Sequence, residues 1–242
     1  IRRQRQMCIR DSSIAYGWSI CADPKNMIAA IREADDRMYE KKSEHKQLLR
    51  SRMAKAWMDA LVSRGIQTEK RIDHLGSIMQ GFCDFLGLDA NETARMVLFA
   101  RYHDIGLVAL STKCVLKPGA LDDGEYAVIK KHVDAGYRLA CECEELKAIA
   151  DWIQKHHEYW DGSGYPAGLA GENIPIQCRI LSLVDAFEAM TTEQYYRHAK
   201  SVDEAMEEIE KNLGTQFDPV IGKKFIAFVN DIPEYIYGDI VD

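Results

Sequence analysis

The chain is 242 residues long, which suits one large domain or two small ones, and its 47% hydrophobic content is ordinary for a globular core. A net charge of −7 argues against a general surface for nucleic acid or anionic membranes, so we expect no DNA partner. No apolar run approaches the ~20 residues that span a bilayer and no signal peptide precedes the first polar segment, so we expect a cytoplasmic location. A longer protein could still be tethered to a membrane upstream of this chain.

Seven cysteines occur in the chain without paired spacing, which indicates reduced thiols. Cys141 and Cys143 could form a metal clip. Two residues apart on a helix, however, their side chains point to different faces, so ordinary burial or surface placement is the favoured interpretation.

The N-terminal region has the pattern of a strand followed by a helix. Residues 9–22 carry β-formers around Tyr16 and Trp18, typical of a short strand. Asp23 is placed to cap a helix with Pro24 at its first position. The helix itself is predicted by an apolar stripe at Met27, Ile31, Ala34 and Met38.

Two segments of this region, Ser13 to Gly17 and Ala34 to Lys42, resemble the C-terminal end of GGDEF (diguanylate cyclase) domains. The signature loop of that family would lie upstream and is absent, so the resemblance implies no cyclase chemistry. We expect residues 1–45 to be a remnant of such an α/β domain, cut from a longer protein whose upstream GGDEF or sensor domains are partners. An arbitrary strand-helix cap is the weaker alternative, because strand, cap and stripe agree.

Apolar residues at helical spacing continue over residues 46–65 and predict a connecting helix, which could mediate a homodimer. Helical patterns dominate residues 66–242 and predict an all-α domain. Within it, Asp122 and Glu125 form a capping box, and Lys117-Pro118-Gly119 is a turn.

Histidine and aspartate residues mark a candidate metal site in the second part of the chain. The pair His103-Asp104 is followed 53 residues later by His156-His157, which opens a Gly-rich turn ending at Gly164-Tyr165-Pro166. Imidazole and carboxylate are ligands of borderline-hard divalent ions. Two such ions suit phosphodiester hydrolysis, because a bridging hydroxide becomes a nucleophile as its pKa falls towards about 7, while the ions neutralise the phosphoryl oxygens.

The motifs of this region resemble the HD-GYP family in order and spacing. They are Tyr102-His103-Asp104-Ile105-Gly106, Lys117-Pro118-Gly119, Lys131-His132, His156 to Pro166, Ile174-Pro175, Val184 to Thr191 and Gln216-Phe217-Asp218-Pro219. That family is the cyclic di-GMP phosphodiesterase branch of the HD superfamily of metal-dependent phosphohydrolases. The resemblance implies a mainly α fold, a helical bundle with the metals in its middle.

Carried over residue by residue, the resemblance makes Asp104 the bridging carboxylate and pairs it with His103 in the catalytic centre. His103 would also bind the first metal. The remaining ligands would be Asp185 on the first metal and His132, His156 and His157 on the second. An isolated histidine is more often neither a ligand nor a catalyst, but the matching register of the whole set outweighs that expectation.

Two departures from the family pattern affect the first metal. Gln67 and Arg71 stand where family members usually carry Glu and His, so a ligand is missing. A guanidinium stays protonated and cannot coordinate. At about 4 Å and an effective dielectric near 20 it would repel a divalent ion by about 8 kcal/mol. We expect Arg71 to oppose a metal there, and it could pair instead with Asp104 or Asp185.

Two further departures affect the substrate. Leu107 replaces the family's phosphate-binding Lys, and Gln194 replaces its usual Arg, so nucleotide affinity should fall. The candidate substrate contacts that remain are Tyr165, Tyr196 and Arg197. Tyr165 has a purely structural alternative, and Arg197 has an alternative as a surface charge.

Three histidines lie outside the motifs. His74 is one turn beyond Arg71 and could substitute as a ligand, but metal geometry tolerates little error, so solvent exposure is favoured. His45 and His198 are likewise predicted to be solvated.

Two functions from different classes follow. The first is hydrolysis of cyclic di-GMP to pGpG or GMP by metal-activated hydroxide, with two ions if the enzyme is active and with activity reduced by the departures. The second is a degenerate, non-catalytic sensor, regulator or scaffold that keeps one metal or none. Nitrogen and oxygen ligands fit iron, manganese or zinc, and the resemblance favours iron or manganese.

Overall fold

The computed structural model describes residues 5–8, 14–17, 27–193 and 198–231, and these are mainly α-helical, as predicted. The strands are β1 (Arg5–Cys8) and β2 (Ile14–Gly17). The α-helices are α1 (Met27–Ser63), α2 (Glu69–Leu86), α3 (Ala90–Tyr102), α4 (Thr112–Val115), α5 (Asp123–Lys130), α6 (His132–Glu142), α7 (Ala150–Lys155), α8 (Ile176–Thr191), α9 (Val202–Lys211) and α10 (Pro219–Asp231). Short 3-10 helices span Ile105–Ala109, Lys147–Ile149 and Gly171–Asn173.

The chain divides into two compact units, Ile1–Met53 and Ala54–Asp242. In the first, β1 and β2 pair antiparallel with Arg5 opposite Gly17. The strand predicted over residues 9–22 therefore has a partner that the sequence analysis missed. Trp18, Asp23 and Pro24 lie outside the described residues.

The helix predicted near the N-terminus and the predicted connecting helix are one continuous helix, α1. The polar stretch between them does not interrupt it, because no Gly or Pro occurs between Pro24 and Gly65 and Lys and Glu are good helix formers. The helix ends just before Gly65, whose φ of 71° suits only glycine without strain.

The core of the second unit is formed by the apolar faces of its helices. Helix α2 begins directly after the N-cap Thr68, and α8 is buried over much of its surface. The aromatic centre of the core joins α2 to α10, with the rings of Phe82 and Phe225 packed edge to face at 4.9 Å. Ala54 and Leu61, at the end of α1, are fully buried in this core.

Two local predictions for the second unit are confirmed. Asp122 accepts a hydrogen bond from the backbone N–H of Glu125, and the Glu125 side chain accepts one from the backbone N–H of Asp122, so the capping box opens α5. Cys141 is exposed and Cys143 is buried, as expected for different faces. Within the described part of the chain, no helix combines the length and hydropathy needed to cross a membrane.

Candidate metal centre

The candidate ligands come from four separated points of the second unit. His103 and Asp104 follow α3, and His132 is the first residue of α6. The pair His156-His157 follows α7, and Asp185 lies within α8. The bundle therefore brings together residues that are far apart in the sequence.

Gly106 allows the turn after Asp104 to lie directly on α6. A Cβ atom at this position would be 1.9 Å from the carbonyl oxygen of His132 and 2.5 Å from the backbone nitrogen of Gly136. Only glycine permits backbones to approach so closely. The contact sets the position of Asp104 relative to His132.

Asp104, His132, His156 and His157 form one group, which we call the metal cage. Each offers a ligand atom, and these atoms all lie within 4.8 Å of one another. Oδ1 of Asp104 is 3.5 Å from Nε2 of His132 and 3.7 Å from Nε2 of His156. The two Nε2 atoms are 3.3 Å apart.

Hydrogen bonds to the backbone orient two of these imidazoles. Nδ1 of His132 is 2.8 Å from the carbonyl oxygen of Ile129, and Nδ1 of His156 is 2.7 Å from that of Ile153. A carbonyl oxygen only accepts hydrogen bonds, so each Nδ1 carries the hydrogen and each Nε2 presents a lone pair. Two lone pairs and a carboxylate oxygen thus converge on one point.

Such a convergence of acceptors is repulsive unless a cation lies between them. Bonds of about 2.1 Å to a tetrahedral ion would separate its ligand atoms by about 3.4 Å. The distances within the metal cage match this separation. The residues therefore fit a divalent metal ion.

Burial keeps two of the imidazoles in the form that ligates. Removal from water is the main reason that the pKa of His132 is lowered, and burial together with His156 and His132 lowers that of His157 well below its usual value. Burial would raise the pKa of Asp104, but His103 beside it keeps that pKa well below its usual range. At neutral pH His132 and His157 are thus neutral imidazoles, and Asp104 is a carboxylate.

Arg71 occupies the other side of the centre, towards α8. Its Nη2 donates to Oδ1 of Asp185 at 2.9 Å, and its Nε donates to Oε2 of Glu188 at 2.8 Å. Its Nη1 donates to Oε1 of Gln67 at 3.1 Å. The amide of Gln67 then donates to Oδ2 of Asp104 at 3.2 Å. The predicted pairing of Arg71 with Asp185 is confirmed, and Asp104 is reached through Gln67.

His103 and Asp185 lie on this side and are outside the metal cage. Nε2 of His103 is 3.3 Å from Oδ2 of Asp104 and 3.6 Å from Oδ1 of Asp185. Burial opposes the charged imidazole, but the two carboxylates outweigh it and raise the pKa of His103 to about 9. The residues predicted to bind the first metal are thus engaged with each other and with Arg71.

Glu188 is a site residue that the sequence analysis missed. Its side chain is 0% exposed and accepts hydrogen bonds from Arg71 and from the hydroxyl of Thr192. Burial would raise its pKa, but His74 and Arg71 outweigh it, so the pKa is lowered. Its position three residues after Asp185 on one helix was the available signal, because that spacing puts both carboxylates on one face.

Of the three remaining histidines, the structure describes the side chains of His74 and His198. The side chain of His74 is mostly buried, with Nδ1 3.9 Å from Oε1 of Glu188, so its predicted solvent exposure is wrong, and it is not part of the metal cage. The side chain of His198 is 100% exposed, as predicted. That of His45 lies outside the described part of the chain.

The Gly164-Tyr165-Pro166 turn packs against the segment that carries His157. A Cβ atom on Gly164 would be 2.4 Å from the carbonyl oxygen of His157, and the backbone N–H of Tyr165 donates to that same oxygen at 3.0 Å. The buried carboxylate of Glu158 accepts hydrogen bonds from the backbone N–H groups of Ala167 and Leu169. The Tyr165 ring lies 4.9 Å from the His157 ring, at 32°.

The remaining substrate predictions divide in two. Leu107 is buried in the apolar core, and its side chain has no charge that could contact a substrate. Gln194, Tyr196 and Arg197 lie outside the described residues.

Comparison with known proteins agrees with this architecture. The family model for the HD domain matches residues 45–221. The cyclic di-GMP phosphodiesterase of Thermotoga maritima is 30% identical over 71% of this chain and 47% of its own length. The cyclic di-GMP phosphodiesterase response regulator RpfG of Xanthomonas campestris pv. campestris is 31% identical over 81% of this chain and 49% of its own length. The chain thus spans about half the length of these curated relatives.

A solved structure shares the fold. It is the crystal structure of a cyclic GMP-AMP specific phosphodiesterase of V. cholerae, with a TM-score of 0.51 and 20% identity, over 81% of this chain and 51% of that chain. The predicted HD-superfamily helical fold is confirmed. The chain belongs to the HD domain family, and its matched segment is a domain of the HD-GYP type.

Proposed function

We propose that this chain is a metal-dependent phosphodiesterase of the HD-GYP type that hydrolyses a cyclic dinucleotide, with cyclic di-GMP as the first candidate. The observation that carries the proposal is the convergence of Asp104, His132, His156 and His157 on one point. The names of the two curated relatives support a cyclic dinucleotide substrate. A relative named as a 3'3'-cGAMP-specific phosphodiesterase, 36% identical over 56% of this chain, makes a mixed dinucleotide the second candidate.

We propose that the centre holds one divalent ion, in the metal cage. Bound there, the ion would supply a Lewis acid that lowers the pKa of water and neutralises charge on a phosphoryl oxygen. Arg71 supplies the positive charge on the other side, where it neutralises Asp185 and Glu188. The resemblance to the HD-GYP family favours iron or manganese, and zinc also fits a set of nitrogen and oxygen ligands.

A non-catalytic regulatory or scaffold module is the second candidate. The engagement of His103 and Asp185 with each other and with Arg71 favours it, because it removes the side on which a second ion would bind. Leu107 adds to this, because its apolar side chain cannot contact a phosphate. Under the first candidate, the same features lower the turnover number.

The metal content of the purified protein tests the site directly. We expect one ion per chain, released by Asp104→Asn and retained by Asp73→Asn, which changes an exposed carboxylate on α2. The double variant Gln67→Glu, Arg71→His restores the family's ligand pair and should bind a second ion. Two ions in the unaltered chain, or none, would contradict the proposed metal content.

Turnover of cyclic di-GMP with Mn²⁺ or Fe²⁺ tests the activity. We expect slow formation of pGpG that Asp104→Asn abolishes and Asp73→Asn leaves intact. Product from neither cyclic di-GMP nor the mixed dinucleotide at high enzyme concentration would leave the regulatory module as the function.

The wider organisation of the protein is also a proposal. We propose a GGDEF-like remnant over residues 1–45, a connecting helix over 46–65 and the HD-GYP domain over 66–242. Upstream GGDEF or sensor domains, a homodimer through the connecting helix and a cytoplasmic location belong to the same proposal.

A further inference from the structure

Lys130 carries an ammonium group that lies over two tyrosine rings beside the metal cage. Its Nζ is 4.5 Å from the ring centroid of Tyr126 and 5.0 Å from that of Tyr165. The Tyr165 ring in turn lies 4.9 Å from the His157 ring. The ammonium is therefore separated from a cage histidine by a single ring.

The backbone fixes this arrangement. Lys130 is the last residue of α5, and His132 begins α6 two residues later. Tyr126 lies one turn before Lys130 on the same face of α5. Tyr165 is fixed by its backbone hydrogen bond to His157. The turn that places a cage ligand thus also places the ammonium.

The charge of Lys130 has no acidic partner within the part of the chain that the structure describes. Among the described residues, no carboxylate forms an ion pair with its ammonium, whereas Lys117 pairs with Glu125 at 2.6 Å. The guanidinium of Arg71, by contrast, is engaged by Asp185 and Glu188. Lys130 is therefore a cation beside the cage that remains available to an anion.

We infer that Lys130 binds a phosphate of the substrate, and specifically the phosphodiester that is not being hydrolysed. The inference rests on the proposed function. A cyclic dinucleotide carries a second phosphodiester that lies outside the metal cage while the first reacts, and it needs a separate cation. The tyrosine faces hold the ammonium by cation–π contacts that do not neutralise its charge, so it can still attract the phosphate. This contact replaces the charge that Leu107 does not supply.

If Lys130 had a purely structural role and only packed against the tyrosines, a variant that keeps this packing but lacks the charge would bind the substrate as the unaltered chain does. Lys130→Met keeps an unbranched stem for that packing and removes only the charge. Lys131→Met is the matched control, because Lys131 is exposed and adjacent and loses the same charge. Lys130→Arg keeps the charge and should keep the function.

Steady-state hydrolysis of cyclic di-GMP gives the first measurement. We expect Lys130→Met to raise KM about tenfold and to leave kcat within about twofold, because the contact is the same in the ground state and the transition state. Lys131→Met should leave both constants within about twofold. Equal effects of Lys130→Met and Lys131→Met, or an unchanged KM in Lys130→Met, would overturn the inference.

Binding in EDTA, where metal-dependent turnover stops, separates this inference from the proposed function. By calorimetry, Lys130→Met should weaken cyclic di-GMP binding about tenfold and leave guanosine, which lacks phosphate, unchanged. An equal loss for both ligands would assign Lys130 to packing and overturn the inference. If the unaltered chain hydrolyses nothing but this binding difference appears, the proposed function fails and the phosphate contact stands.

Discussion

At the scale of single residues, Arg71 changes what the centre can hold. A guanidinium with three directed hydrogen bonds fills the side on which the first ion was predicted. Burial opposes its charge, yet Asp185 and Glu188 raise its pKa further above an already high value. The positive charge there is therefore permanent, whereas a metal ion can leave.

Removal of this charge should destabilise the fold. Arg71→Met leaves the fully buried carboxylate of Glu188 without its cation, which typically lowers the free energy of unfolding by about 3–5 kcal/mol. Arg101→Met is the control, because its partner Asp73 is 72% exposed, and its loss should be about 0–1 kcal/mol. Urea unfolding in EDTA measures both, and equal losses would show that the buried pair does not stabilise the protein.

At the scale of elements, the contact between the 3-10 helix Ile105–Ala109 and α6 aligns the cage. Gly106 is where the two backbones touch, and Asp104 and His132 lie on either side of that contact. Metal sites tolerate displacements of only about 0.2 Å in their ligand distances. A small movement between these elements should therefore affect metal binding more than it affects folding.

Gly106→Ala should separate the two effects. The new methyl group overlaps the backbone of α6, so we expect a loss of about 1–3 kcal/mol in the free energy of unfolding. We expect metal affinity to fall about 10–100-fold, as when other supports of metal ligands are removed.

Gly124→Ala is the matched control, because the nearest atom to its methyl group is a side-chain oxygen 3.2 Å away. Competition with a chelating dye measures affinity, and thermal melting measures stability. Unchanged affinity in Gly106→Ala would show that the close contact does not position the ligands.

At the scale of the whole molecule, the end of α1 belongs to the core of the second unit. Ala54 and Leu61 are fully buried there, and Trp57 and Met58 pack against the same core. A chain that begins at residue 66 would lose all of these contacts. We therefore expect the stability of the second unit to depend on the end of α1.

Two truncations test this dependence. A chain of residues 46–242 keeps the buried end of α1 and should melt within a few degrees of the full chain. A chain of residues 66–242 should melt about 10 °C lower, because deletion of a buried leucine alone removes about 2–5 kcal/mol. Similar melting temperatures for both chains would show that α1 contributes little to this core.

The sequence predicted the helical fold because apolar spacing and a capping box are local signals, and the resemblance to the HD-GYP family supplied the candidate ligands. It also predicted that Arg71 would oppose a metal, because a guanidinium cannot ligate. The partner Glu188 was missed, because it lies 117 residues away and only packing brings α2 and α8 together. The role of Lys130 was missed for the same reason, since Tyr165 approaches it from a distant turn.

The ion pairs of Arg71 also bear on how the protein responds to metal starvation. A centre that needs two ions loses both of its internal counter-charges when they are withdrawn. In this chain one of those charges is the guanidinium of Arg71 on α2, which a chelator cannot remove. We therefore expect the fold to outlast the proposed activity when divalent metal becomes scarce, and that activity to return once a single ion is resupplied.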